Sequence, residues 1–149
     1  LIGGFFLFSN TDFYRKNIEN SVSALYASSG VAILNLLGFN ANSKDYRISS
    51  KEFTMDIARG CDALAPMVLL IVAISVFPFG SISSKLKGIG IGVGFLFILN
   101  LIRLISLFFI GIYAKKYFEF FHVEFWQALF IIISLIFFIF WIKNYAEKY

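Results

Sequence analysis

Three residues of this sequence have the types and placement that covalent chemistry needs: a lone cysteine, a lone histidine, and an arginine inside an apolar run. Cys61 stands where the polar stretch Asp56-Ile57-Ala58-Arg59-Gly60 gives way to Ala63-Leu64. A single cysteine cannot close an intramolecular disulfide, so it is either an apolar filler or a reactive thiol, and in membrane helices filler is the usual case. Its surroundings argue for reactivity. Asp62 is a good N-cap for the apolar run after it, and Pro66 is tolerated only near a helix start. Together they place the helix N-terminus at about Cys61–Ala63. A thiol there faces unpaired N–H groups and a positive dipole end, which lower its pKa against the opposing Asp62 carboxylate.

Arg103 lies in Leu99-Asn100-Leu101-Ile102-Arg103-Leu104-Ile105. An arginine in mid-span costs at least ~2.5–3.5 kcal/mol, so it is expected to face the bundle interior and to have a partner. Its structural reading is a salt bridge or carbonyl clamp; its functional reading is an anion or oxyanion site; snorkelling to the interface is the third. His122 sits where a loop enters a helix, a place that suits an interfacial residue as well as a catalyst. Glu124 beside it would orient the ring or cap the helix. One His and one Cys do not make a recognisable zinc site, so no metal or other cofactor is expected.

As a set, the three residues make chemical sense. Cys61 supplies a nucleophile, His122 a general base and acid, and the permanently charged Arg103 a stabiliser of a tetrahedral oxyanion. Depth is the difficulty, because Arg103 lies ~15 Å below the nearer end of its helix. Its side chain recovers ~6 Å by reaching toward the interface, which implies a pocket sunk into the outer leaflet.

The elements that must position these residues are membrane spans. With 59% hydrophobic residues and 20 Phe in 149 positions, the chain has more apolar surface than a soluble domain of its size can hide. We expect an all-α, multi-pass transmembrane helical bundle forming one domain over residues 1–149, with about five spans. The chain opens on Leu1-Ile2-Gly3-Gly4 without an initiator Met or a cleavable signal peptide, and Leu1–Phe8 reads as the tail of the first span. The second runs from Asn17 to about Phe39, carrying the small residues Ala24, Ala27, Ser28, Gly30 and Ala32 of a helix packed among helices. Ala63 to Phe79 is the third. The fourth covers Gly88 to Tyr113, after a loop Ser81–Lys87. Ala114 to His122 is another loop, and the fifth span runs from about Glu124 to Trp141, with Trp126 and Trp141 in interfacial positions.

Asn40 to Gly60 is the longest polar segment. Tyr46-Arg47-Ile48 and Phe53-Thr54-Met55-Asp56-Ile57 alternate with period two around Ser49-Ser50-Lys51-Glu52, which predicts a small β-hairpin on the membrane surface. A helix capped by a Ser49…Glu52 box is the rival reading. The glycines Gly88, Gly90, Gly92 and Gly94 follow no strand and have the wrong spacing for a dinucleotide fingerprint. Gly88/Gly92 and Gly90/Gly94 are instead small-xxx-small pairs for close helix packing. The net charge of +4 is spread over loops, which suits anionic lipid headgroups and excludes nucleic acid as a partner. Counting spans places Cys61 and His122 on one face of the membrane. Leaving out the long loop Asn40–Gly60, as the positive-inside rule directs, tips that face to the extracytoplasmic side.

The order and context of these motifs resemble the exosortase/archaeosortase membrane transpeptidases of bacteria and archaea. A polar loop with a strand-like lead enters Ala58-Arg59-Gly60-Cys61-Asp62-Ala63-Leu64; Asn100-Leu101-Ile102-Arg103 follows in a later span; His122 then opens the next. The resemblance covers about Asn17 to Trp141. It implies that Cys61, Arg103 and His122 are the catalytic residues of a cysteine peptidase or transpeptidase; Arg59, Asp62, Asn100 and Glu124 are expected in supporting or substrate-binding roles. It implies exported substrate proteins with a C-terminal tripartite signal of short motif, hydrophobic helix and basic cluster. It also implies a multi-pass protein of a prokaryotic cytoplasmic membrane, its active site facing outward. The chain departs from the pattern at Cys61-Asp62-Ala63, where many members have Cys-Ser-Gly, and it has fewer spans than the larger exosortases. A small transporter or channel subunit with Arg103 as an anion-binding residue is the main rival. A scaffold that only binds partner helices is another.

Overall fold

A computed structural model of the chain describes residues 20–57 and 63–146, together with Thr11 and Asn17. In order, the elements are α1 (Asn20–Leu36), β1 (Asn42–Lys44), β2 (Arg47–Ser49), β3 (Thr54–Asp56), α2 (Leu64–Val76), α3 (Ile82–Tyr113) and α4 (Trp126–Trp141). The described chain is mostly helical, as expected. It divides into two compact units: Leu1–Asp62 with Asn100–Phe118, and Ala63–Leu99 with Glu119–Tyr149.

In the first unit, α1 buries Ser23, Tyr26, Ala27, Gly30 and Leu34, a stripe at helical spacing with small residues where other elements approach. Ile48 of β2 packs over Gly30, where a Cβ would stand 3.2 Å from its Cδ1. The helix ends at Gly38, whose φ of +91° places it in the left-handed region. Phe39 N–H then donates to Leu34 O at 3.0 Å and Gly38 N–H to Asn35 O at 3.1 Å, satisfying the last carbonyls in a Schellman arrangement. Asn35 clasps the next residues, its Oδ1 accepting from Ala41 N–H at 2.8 Å and its Nδ2 donating to Ala41 O at 3.1 Å.

The period-two alternation does form strands, and a third joins them. The sheet is antiparallel in the order β1-β2-β3, with Ser43, Ile48 and Met55 in one cross-strand row. β1 was not legible: Asn42-Ser43-Lys44 is polar and exposed throughout, so it has no alternation to read. At the β2–β3 turn, Ser50 rather than Ser49 organises the backbone, its Oγ accepting from Glu52 and Phe53 N–H at 3.2 Å each. Arg47 and Asp56 face each other across the ladder in a two-point ion pair, Nη2 to Oδ2 at 3.0 Å. The guanidinium's hydrogen bonds hold the Asp56 carboxyl below the usual carboxylate range. Phe53, at the turn, stands edge-on to Phe108 at 5.9 Å and lies over Gly111, while Phe39 stands edge-on to Phe109 at 5.3 Å. These rings fasten the sheet to the second half of α3.

The second unit is a three-helix arrangement. Ser81 caps α3, its Oγ accepting from Ser84 N–H at 3.2 Å, so Ser81–Lys87 is the cap and opening of a helix and not the loop expected. One of its lysines makes a tertiary contact. Lys85 Nζ donates to Ser75 O at 3.2 Å and Phe77 O at 2.7 Å, closing the C-terminal end of α2. Leu70 and Phe137 both pack at Gly92, and Trp141 packs at Gly88 while its Nε1–H donates to Ser84 O at 3.2 Å. α2 and α4 therefore both run antiparallel to the opening of α3. The Gly88/Gly92 pair is a packing seam, whereas nothing within 4 Å meets a Cβ built on Gly90 or Gly94.

Two helices among the described residues are long and apolar enough to cross a membrane: Ile82–Tyr113 and Phe120–Asn144. α1 has 17 residues and α2 only 13, the latter ~20 Å long against ~30 Å of hydrocarbon. The expected first span, Leu1–Phe8, lies outside the described residues. The two tryptophans of the last span do stand at its ends, but both are buried, Trp141 completely, because packing rather than the interface claims them.

Candidate active site

α3 presents one unbroken buried stripe: Ser84, Gly88, Gly92, Leu96, Asn100, then Arg103, Leu104, Leu107, Phe108 and Gly111. Steps of three and four residues keep one face turned inward, and the small residues at its start let neighbouring helices come close. On the opposite face Ile91, Phe95, Ile98 and Ile102 are exposed apolar residues suited to lipid. Asn100 and Arg103 are one turn apart on the inner face. Asn100 is fully buried and Arg103 is 5% exposed. The sequence placed Arg103 inside the bundle because a mid-span charge cannot face hydrocarbon, and its side chain is indeed enclosed. Its carbonyl accepts from Ser106 Oγ at 2.7 Å, a local bond one turn on.

His122 is not at a loop–helix junction. A 3-10 turn (Lys115–Tyr117) leads into a π-helical stretch, Phe120–Phe125, and His122 is its third residue. Trp126 N–H bonds to Phe121 O, one residue further back than an α-helix reaches. The wider turn changes which residues share a face, so helical spacing read from the sequence does not carry across it. His122 is half-buried, while Glu124 is exposed and makes no hydrogen bond or ion pair among the described residues. Glu124 therefore neither orients the ring nor caps the helix, the two roles expected of it.

Cys61 lies outside the described residues, as do Arg59 and Asp62. The chain is described again from Ala63. α2 begins at Leu64 with Ala63 at its N-cap and no side-chain cap bond there, and Cys61 precedes the first helical residue by three; the capping role expected of Asp62 lies outside the described residues. Pro66 is the third residue of α2, where its missing N–H leaves no helical bond unmade. Ala63 has φ +54° and ψ 13°, the left-handed conformation that costs an alanine and not a glycine. A glycine in this place, as in the Cys-Ser-Gly pattern, would take it freely. The sequence carried the signal as a departure from the pattern, without its meaning.

The packing of α2 on α3 fixes its height within the second unit. Leu70 packs at Gly92, and the six residues back to Leu64 cover ~9 Å of helix. The first residue of α2 thus stands level with about Ile98, near the middle of α3.

Long apolar helices, a polar three-stranded sheet and a buried arginine describe an integral membrane protein. The model of the transmembrane exosortase family (Exosortase_EpsH) matches residues 1–140. The chain belongs to that family. No curated protein and no solved structure gives a significant match.

Proposed function

We propose that this chain is a membrane cysteine peptidase of the exosortase type, which cleaves a C-terminal sorting signal from exported proteins and passes them to an acceptor through a thioester on Cys61. The observation that carries the reading is Arg103, a 5% exposed arginine midway along an apolar helix in a transmembrane exosortase. In this reading His122 takes the Cys61 proton, and the thiolate attacks the scissile carbonyl. Arg103 offers its planar fork to the oxyanion, with Asn100 one turn away on the same face. Collapse breaks the peptide bond, His122 returns the proton to the leaving amine, and Cys61 holds the substrate as a thioester. An acceptor amine then displaces the thiol, in a pocket from which water is excluded.

The substrate signal is a short motif followed by a hydrophobic helix and a basic cluster. Its helix lies against α3, where the unfilled Gly90/Gly94 face supports close approach. Arg59 and Asp62 flank the nucleophile in sequence and are assigned to substrate contact. The enzyme works in the cytoplasmic membrane of a prokaryote with this site outward.

The test uses hydroxylamine. Exported proteins that retain their C-terminal helix only in Cys61→Ala cells are the substrates. Incubated with the wild-type enzyme and hydroxylamine, such a substrate yields a new C-terminus carrying a hydroxamate, read by mass spectrometry. Cleavage that persists in Cys61→Ala overturns the mechanism.

A further inference from the structure

The sheet has two edges, and they are not alike. Ser50 N–H donates to Phe53 O at 2.9 Å and Ile57 N–H to Tyr46 O at 2.8 Å. These bonds fix the parity of the β2–β3 ladder: Phe53, Met55 and Ile57 turn their main-chain groups toward β2, and Thr54 and Asp56 turn theirs away. Both outward residues are exposed, and no backbone bond among the described residues occupies their N–H or C=O groups. By the same parity, β1 turns only Ser43 outward. Beyond it, Asn35 already holds both main-chain groups of Ala41, and α1 packs along that side. One edge is closed by the fold and the other is open. The open one is also fixed in place, since Met55 and Ile57 are buried and Arg47 ties Asp56 to β2.

We infer that the free edge of β3 is the docking strand for the substrate: an extended segment of the exported protein, the short motif ahead of its hydrophobic helix, adds as a fourth strand through Thr54 and Asp56. The inference rests on the peptidase reading above and deepens it. Two features of the chain select this occupant. From Ile57 to Cys61 are four residues of chain, which span at most ~14 Å, so a strand bound here keeps its next peptide bonds within the nucleophile's range. An edge of three residues is also too short to hold a free peptide, but it suffices for a segment whose own membrane helix supplies a high effective concentration. Recognition through the main chain is the β-augmentation mode, in which backbone bonds give affinity and alternate side chains give specificity.

The test has two arms, both on the full-length protein in membranes with the substrate identified by its dependence on Cys61. Thr54→Pro deletes an outward N–H and leaves the β2 ladder bonds intact, whereas Thr54→Ala keeps it. The expected result is a fall in kcat/KM of about tenfold for Thr54→Pro, expressed in KM, and a several-fold smaller fall for Thr54→Ala, which keeps the N–H. In the second arm, a photo-reactive phenylalanine analogue replaces Thr54 in the Cys61→Ala background. It should cross-link to the segment just before the substrate's hydrophobic helix. This arm needs neither catalysis nor a well-folded proline variant. Normal kinetics for Thr54→Pro, a cross-link to a second copy of the chain, or no cross-link to that segment overturns the docking edge. Any of these leaves the peptidase reading standing so long as cleavage still requires Cys61. Cleavage in Cys61→Ala defeats the peptidase reading instead, and the cross-link still reports on the edge.

Discussion

Ala63 holds a left-handed conformation directly before α2, at φ +54°, with a side chain that opposes it. The steric cost is ~1–2 kcal/mol, and glycine avoids it at the expense of ~0.4–1 kcal/mol of unfolded-state entropy. Ala63→Gly should therefore leave stability unchanged or raise it by up to ~1 kcal/mol, read as a thermal shift in detergent. Ala63→Val should lower it, because β-branching makes the left-handed region worse. Arg103 gives the complementary prediction. Lysine retains the charge and loses the planar two-donor fork, so Arg103→Lys should process substrate ~10²–10³ more slowly while the protein still assembles. Most of its processing retained would reduce Arg103 to a structural charge. At this scale the sequence was informative where a single energy dominates: a mid-span charge has one tolerable environment, and Arg103 is in it. It was uninformative for Glu124, whose capping role depends on where a helix starts to within one residue.

Among the elements, α3 was the most legible and still misread at its start. Lys85 and Lys87 look like loop residues, yet Ser81 caps a helix that runs through both, and Lys85 closes the end of α2. The π-helical stretch at His122 had no sequence signal, because it is a matter of hydrogen-bond register and not of composition. The glycine pairs show what spacing alone cannot decide. Gly88/Gly92 and Gly90/Gly94 have the same pattern, but only the first pair meets side chains. A Cβ on Gly88 would overlap the Trp141 indole and disturb its bond to Ser84 O, so Gly88→Ala should destabilise by ~1–3 kcal/mol. Gly90→Ala meets nothing within 4 Å and gains helix propensity, so it should be neutral or mildly stabilising. Unfolding of the two variants in mixed micelles compares them directly.

At the scale of the whole molecule, the orientation of the second unit carries the topology. α2 and α4 run parallel to each other and antiparallel to the first part of α3, so the start of α2 and the stretch with His122 lie at one end. Lys85, Lys87 and Lys143 gather at the other end, where Lys85 is already bound to the C-terminus of α2. Acidic residues carry little weight in the positive-inside rule, and the long polar segment Asn40–Gly60 is discounted by it. We propose that this lysine-bearing end faces the cytoplasm and the start of α2 the outside, where a peptidase of exported proteins would have to work. Cys61, two residues before Ala63 and the sole cysteine of the chain, is then a built-in reporter. A membrane-impermeant maleimide should label it in intact cells at the level reached after lysis. Prior treatment with a permeant maleimide should block that signal, showing that the thiol itself is read. Labelling that appears only once the membrane is opened, in protein whose thiol reacts normally in detergent, would turn the molecule over and place the Cys61 segment in the cytoplasm.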